Sequence, residues 1–233
     1  MMKKMERNRI AVYAGTRNIY HNMAVAAKSL LIHTQMDRVI FLIEDDEFPE
    51  QLPAVIKCIN VNGQQFFRPD GPNYKSRWTY MSMMRIALPL MFPEENRILW
   101  LDADTIVEDE IHELFETDIE DCYFAAVVEP TRCRDPFIYF NAGVLLLNQE
   151  KLRDGKCLEM IDYINRYKLT FPDQDCINLL CQGKIKPIEP AWNSCQWTEE
   201  PYNRIITHFA ADRQYEQRLL FKKYENADWR DNT

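Results

Sequence analysis

The chain has 233 residues, of which 46% are hydrophobic and 27% charged, with a formal net charge of −8. At about 150 residues per domain this length fits one large domain with an appended segment, and its core can fold without disulfide or metal staples. The acidic balance argues against nucleic acid as the main partner, because neutralising phosphates needs clustered Lys and Arg; it remains compatible with a single anionic ligand in one cleft.

The longest apolar runs, 98–101 and 144–147, fall far short of the roughly 20 residues that span a bilayer. Met1 to Arg9 is basic and polar, and Arg17 and His21 break the apolar run after it, so no signal-peptide core is expected. Seven cysteines, an odd number without a Cys-x-x-Cys pair, read as reduced and mostly buried thiols. These readings predict a cytoplasmic protein with at most peripheral membrane contact.

In chain order, Ile10 to Ala14 reads as a first strand. Met23, Ala26, Ala27, Leu30 and Leu31 then recur at helical spacing. Val39 to Ile43 is a second buried strand, followed by a solvated turn at 44–47 and by Pro49 and Pro53, which bar a helix. A third strand fits Val55 to Val61, and 62–73, with two Gly and two Pro, is loop. A helix is expected from Ser76 to Leu90, its last turn bent by Pro89. The strand Arg97 to Leu101 then stops abruptly at Asp102. Further on, 122–128 and 137–147 read as strands, Cys157, Met160, Ile161 and Ile164 mark a helix, and Asp173 to Gln182 another, closed by Gly183. Ile205 to Phe209 is a last strand. The alternation predicts an α/β fold with a mostly parallel central sheet, whose ligands gather at the carboxyl ends of strands.

Asp102-Ala103-Asp104 sits at such an end. In extended backbone, residues two apart share a side, so both carboxylates can converge on one cation. Asp173-Gln174-Asp175 has the same spacing, but Pro172 opens a helix there, which makes Asp173 a candidate N-cap. Asn141-Ala142-Gly143 interrupts a buried run. The amide of Asn141 costs a few kcal/mol there unless bonded, to a ligand or to neighbouring backbone; Gly143 permits close backbone approach by a ligand. Arg85, on an apolar helix face, wants an anionic partner or a path for its stem to solvent. His208 ends an apolar strand, where a purely structural role is the common one.

Five segments occur in a telling order: ILWLDADT over 98–105, YFNAGVLLLN over 139–148, PDQD over 172–175, WN over 192–193 and HF over 208–209. In this order they resemble glycosyltransferase family 8, over nearly the whole chain from Ala11 to His208. The resemblance implies a GT-A fold and a retaining transferase that moves glucose or galactose from a UDP-sugar with Mn²⁺. It implies Asp102, Asp104 and His208 as metal ligands, and two carboxylates with one imidazole suit Mn²⁺ better than Mg²⁺. Ala14, Thr16, Asn18 and Tyr20 would cradle uridine, while Lys28 matches a family lysine one helix later and Arg85 a basic residue near the nucleotide sugar. Asn141, with Ala142 beside it, would contact the donor sugar. Asp173 would hold sugar hydroxyls and Gln174 would lie beneath the anomeric carbon, too weak a nucleophile for anything but front-face attack. The acceptor would be a saccharide, a lipid-linked glycan or a protein.

Two departures stand out. Thr16 replaces an Asp common in similar bacterial chains, and the closing H-x-x-G-x-x-K pattern reads Ala211 for Gly and Gln214 for the phosphate-binding Lys, with Arg213 as the nearest substitute. The alternative is therefore a non-catalytic nucleotide-sugar-binding protein of the same fold. Asp-Ala-Asp-Thr after a strand also resembles haloacid-dehalogenase-type phosphatases, but about 100 residues precede it and no acid pair follows a suitable strand. The expected division is a transferase domain over 1–212 and a tail over 213–233, its mixed charges and aromatics suiting a helix docked on the core.

Overall fold

The computed structural model describes residues 8–229. Most of the basic N-terminal stretch, 1–7, and the last tail residues, 230–233, lie outside the described residues. The chain runs β1 (Ile10–Ala14), α1 (Tyr20–His33), β2 (Arg38–Ile43), β3 (Ile56–Asn60), α2 (Thr79–Met91), β4 (Arg97–Leu101), β5 (Thr105–Val107) and α3 (His112–Glu116). It continues with β6 (Phe124–Val127), β7 (Val144–Asn148), α4 (Gln149–Arg153), α5 (Lys156–Arg166), α6 (Pro172–Leu180), β8 (Ile185–Ile188), β9 (Ile206–His208) and α7 (Leu219–Glu225).

Seven strands form one sheet in the order β3-β2-β1-β4-β7-β6-β8. Every neighbouring pair is parallel except those of β7, which runs antiparallel to β4 and β6. The sheet is covered on both faces, which is why its strands read as continuous apolar runs. Ile10, Val12, Ile98 and Trp100 point into a core shared with α2, α5 and α6, whereas Ala11, Tyr13, Leu99 and Leu101 point into one shared with α1 and α3. Each large side chain fully buried this way stabilises the fold by about 1.5–3 kcal/mol.

Two pairings position the site. Antiparallel β4 and β7 set Leu101 opposite Val144, so the chain leaving β4 at Asp102 lies beside the chain entering β7 at Gly143. Antiparallel β5 and β9 form a separate two-stranded sheet that sets Thr105 opposite His208. Residues 102–104, 141–143 and 208 are thereby brought to one rim.

One expectation needs correction. The long strand over 137–147 is a strand only from Val144; before it the backbone breaks away, because Asn141 accepts the Gly143 N–H on its own side chain (2.9 Å) instead of pairing regularly. The last strand expected over 205–209 is present as β9, and it pairs with β5, a three-residue element too short to stand out by periodicity. In the tail, Phe221 and Tyr224 are buried against Val25 of α1. No helix among the described residues is long and apolar enough to cross a membrane.

Candidate active site

Nε2 of His208 lies 3.3 Å from Oδ1 of Asp104 and 3.9 Å from Oδ2 of Asp102. One ligand atom from each of the three residues falls within 4.8 Å of the others, a spacing that one divalent ion can bridge. The imidazole is buried, yet over a quarter of each Asp side chain remains exposed, 28% and 27%, so the group has an open mouth. Nδ1 of His208 is 2.9 Å from Oδ1 of Asn193, whose amide donates to Asn141 at 2.9 Å. A donor Nδ1–H in that bond leaves Nε2 to face the carboxylates, the tautomer a metal ligand needs. Burial alone would lower the pKa of His208, but Asp104 outweighs it and holds the imidazole well above its ordinary value. In the same pair burial opposes charge on Asp104 and the imidazolium prevails, keeping that carboxyl below its usual range. A cation entering the group would displace this proton.

Gly143 is what lets the imidazole in. A Cβ built on it would stand 2.1 Å from Cε1 of His208 and 2.5 Å from Nδ1. The close approach expected of a ligand here is made instead by the protein's own histidine ring.

Beside the metal group lies a chamber of about 260 Å³ that Asn141, Ala142, Asp173 and Gln174 all line. Arg85, 3% exposed, spans its floor. Its Nη2 lies 2.7 Å from Asp102 and its Nε 3.1 Å from Asp173, it donates to the Ala142 carbonyl, and it rests on the Trp100 ring at 4.4 Å. The anionic partners its sequence position called for are two site carboxylates, so Arg85 orients them. Asp173 is not the N-cap of α6: Phe171 holds that position, and Asp175 binds the N–H groups of Thr170 and Phe171 at 3.1 and 2.8 Å. Gln174 accepts from Ala142 N at 2.9 Å and donates to Glu129 at 3.2 Å, which fixes its amide. Glu129, 2% exposed, binds Arg132 at 2.6 Å through its other oxygen.

A second chamber, about 280 Å³, is lined by Ala14, Thr16 and Asn18 and shares Arg77, Trp78, Ser82, Arg85 and both metal-group aspartates with the first. Two expected residues are not on it. Tyr20 sits behind the wall, its hydroxyl accepting from Glu44 N at 2.9 Å and its ring stacked on Phe48 at 5.1 Å. Lys28 is held by the tail, its Nζ donating to the Glu225 carbonyl at 3.1 Å and lying over Trp229 at 5.4 Å. Gln214 and Arg213 line a neighbouring cavity and neither chamber, so Arg213 does not restore the lost charge. Ala211 has φ of 61°, the left-handed conformation that explains the glycine of similar chains at this position.

Sequence reasoning missed Arg77, Glu129 and the bridging role of Asn193. Glu129 could have been found by the logic applied to Asp102, an acid just past a buried strand. Arg77 had no such signal. It lies over Trp78 at 4.8 Å, faces both chambers and has no carboxylate partner among the described residues.

A doubly covered α/β sheet with an Asp-x-Asp turn at its ligand edge, where two chambers meet, is the architecture of a glycosyltransferase of the GT-A fold. The family model for glycosyl transferase family 8 matches residues 10–211, and the chain belongs to that family. It is 27% identical over 198 residues to glycosyltransferase GlyE of Streptococcus pneumoniae, covering 79% of this chain and 47% of that protein. It is also 27% identical over 195 residues to the lipopolysaccharide 1,2-glucosyltransferase of Escherichia coli K12, covering 67% of this chain and 57% of that one. The chain spans about half the length of such curated relatives. Among solved structures, GlyE superposes with a TM-score of 0.72 at 23% identity, over 96% of this chain and 62% of that one. The galactosyltransferase LgtC, solved with donor and acceptor sugar analogues, gives 0.71 at 21% identity over 93% and 95%.

Proposed function

We propose that this chain transfers glucose or galactose from a UDP-sugar to an acceptor hydroxyl with retention of configuration, in the presence of Mn²⁺. The observation that carries the reading is the Asp102, Asp104 and His208 cluster at the junction of two chambers. These three residues would hold the ion, their mixed oxygen and nitrogen donors favouring Mn²⁺ over Mg²⁺. A bound divalent ion would supply positive charge beside the leaving diphosphate. The protein's own residues do the rest. Ala14, Thr16 and Asn18 bind the uracil end; Asp173 offers an acceptor oxygen and the Asn141 amide an N–H donor to hexose hydroxyls. The residue proposed beneath the anomeric carbon is the amide Gln174, whose oxygen already accepts from Ala142 N and is a poor nucleophile, while both oxygens of Glu129 are engaged and Asp173 is tied to Arg85 through Oδ2. That supports front-face attack, the departing phosphate oxygen taking the acceptor's proton while the fixed amide of Gln174 steadies positive charge at the anomeric carbon. All seven cysteines are free, which suits the cytoplasm. The domain limits proposed are 1–212 for the transferase and 213–233 for a tail that braces α1.

Arg77 then takes over the diphosphate contact that Gln214 cannot make. Arg77→Ala is expected to weaken UDP binding about 10- to 100-fold, the ~1.5–3 kcal/mol of a hydrogen bond to a charged group, while Arg213→Ala leaves it unchanged. Calorimetric titration with UDP and Mn²⁺ checks both.

The reading is tested by incubating the protein with UDP-glucose or UDP-galactose and Mn²⁺ and measuring thermal stabilisation and UDP release. Release with either sugar, lost on chelation, is expected. Stabilisation without any release would favour the non-catalytic binder that Gln214 suggests, and neither response would overturn both readings.

A further inference from the structure

The transfer chamber abuts a second cavity of about 490 Å³ whose lining is basic on a chain of net charge −8. It lies between the 131–139 segment and the 168–170 approach to α6. Arg132 lines both cavities, and the Tyr139 wall between them is bonded to Gln174, Tyr139 Oη accepting from Gln174 Nε2 at 3.3 Å. The basic cavity shares no lining residue with the chamber of Thr16 and Asn18. It therefore opens on the side of the transfer chamber away from the nucleotide.

Its charges are arranged to remain charges. Among the described residues the Arg134 guanidinium donates to the carbonyls of Thr131 and Cys133, at 3.2 and 2.7 Å, and Lys168 to the Pro72 carbonyl at 3.1 Å, none of them a carboxylate. Such bonds hold a cation in place without neutralising it. The one carboxylate among the described lining residues is Asp175, whose oxygens are turned to neutral donors, Oδ1 accepting from Tyr139 Oη at 2.6 Å and Oδ2 from two backbone N–H groups, so it pairs with neither Arg134 nor Lys168 and the two cations outnumber it. Arg132 is paired with Glu129 and lies over Phe171 at 4.3 Å, which gives the shared edge an aromatic face. Leu169 and Leu179 add apolar surface. Two cations without a carboxylate partner of their own, beside apolar and aromatic faces, match a sugar ring that carries an anionic group.

We propose that this cavity is the acceptor subsite and that the acceptor is a saccharide bearing a phosphate or carboxylate, read by Arg134 and Lys168. The inference rests on the transferase reading for its role, but the binding it predicts does not need turnover. Titrating the full chain with glucose 6-phosphate, glucuronate and glucose reads the cavity directly. At least one anionic sugar should bind about tenfold or more tightly than glucose, and the Arg134→Ala/Lys168→Ala double variant should erase the difference. Both residues are exposed, so the variant should keep the wild-type melting temperature. Preference between the two anionic sugars tells phosphate from carboxylate. In the transfer assay the same variant should raise the KM of the anionic acceptor while leaving acceptor-free UDP release unchanged. Equal binding of glucose, no binding by any of the three sugars, or a preference that survives in the double variant overturns the proposal. Absence of UDP-sugar turnover would overturn the transferase reading and leave the binding result standing.

Discussion

Asp104→Asn should lower Mn²⁺-dependent UDP release by about 10³-fold or more, the rate equivalent of ~4 kcal/mol of lost charge stabilisation. The substitution keeps shape and removes charge. Backbone support is untouched, since the Asp104 carbonyl still accepts from Phe209 N at 2.9 Å. What disappears is one of the two carboxylates proposed to hold the ion and the main partner of His208 Nε2, 3.3 Å away. Stabilisation by Mn²⁺ should vanish with activity. Without metal the variant also reports on the ion pair. The folded chain holds the His208 proton above the ordinary value of 6.5, so the pair stabilises the fold below that pH and the contribution fades as pH rises through the raised pKa. Asp104→Asn should therefore lower the melting temperature at pH 6 more than at high pH. Turnover within tenfold of wild type would remove the metal group from the mechanism.

Gly143→Ala should be nearly as damaging, though position 143 carries no ligand atom. The added methyl would meet the His208 ring at 2.1–2.8 Å, and neither side can retreat cheaply. The Gly143 carbonyl accepts from Asp102 N at 2.9 Å and its N–H donates to Asn141 at 2.9 Å, while the ring is tied to Asn193. Overpacking of this kind costs roughly 1–3 kcal/mol of stability. A ring displaced by about 1 Å leaves the ion incompletely held, which costs on the order of 10²-fold in rate. Melting curves with and without Mn²⁺, together with UDP release, separate the two effects. A variant that keeps full metal-dependent stabilisation would show that the imidazole is not a ligand.

Much of this was legible in the sequence because burial writes itself into composition. β1, β2 and β4, covered on both faces, appear as unbroken apolar runs, and α1 and α5 keep their stripes. The Asp102 and Asp104 pair could be placed because a buried run ends on it. Lys28 and Tyr20 misled for a common reason: residue type does not reveal which neighbour takes the side chain, and a tail nearly 200 residues away takes Lys28. Gly143 was rightly singled out as a point of close approach, but only long-range pairing reveals that the visitor is His208. Arg77 stayed hidden because a cation in a loop looks like any solvated one until two cavity walls are drawn through it.

The three-rung ladder between β5 and β9 acts as a gauge. Thr207 bonds Glu108 at 2.5 Å on one side while His208 serves the metal group on the other, so a slip of one residue would exchange imidazole for hydroxyl and break both contacts at once. Ser194, bonded to the Ile206 carbonyl and the His208 N–H, clamps the near end. The exposed stretch 199–204 between these fixed points can consequently be lengthened, shortened or rewritten without moving the histidine. Diversity beside the chamber is thus mechanically insulated from the chemistry it surrounds.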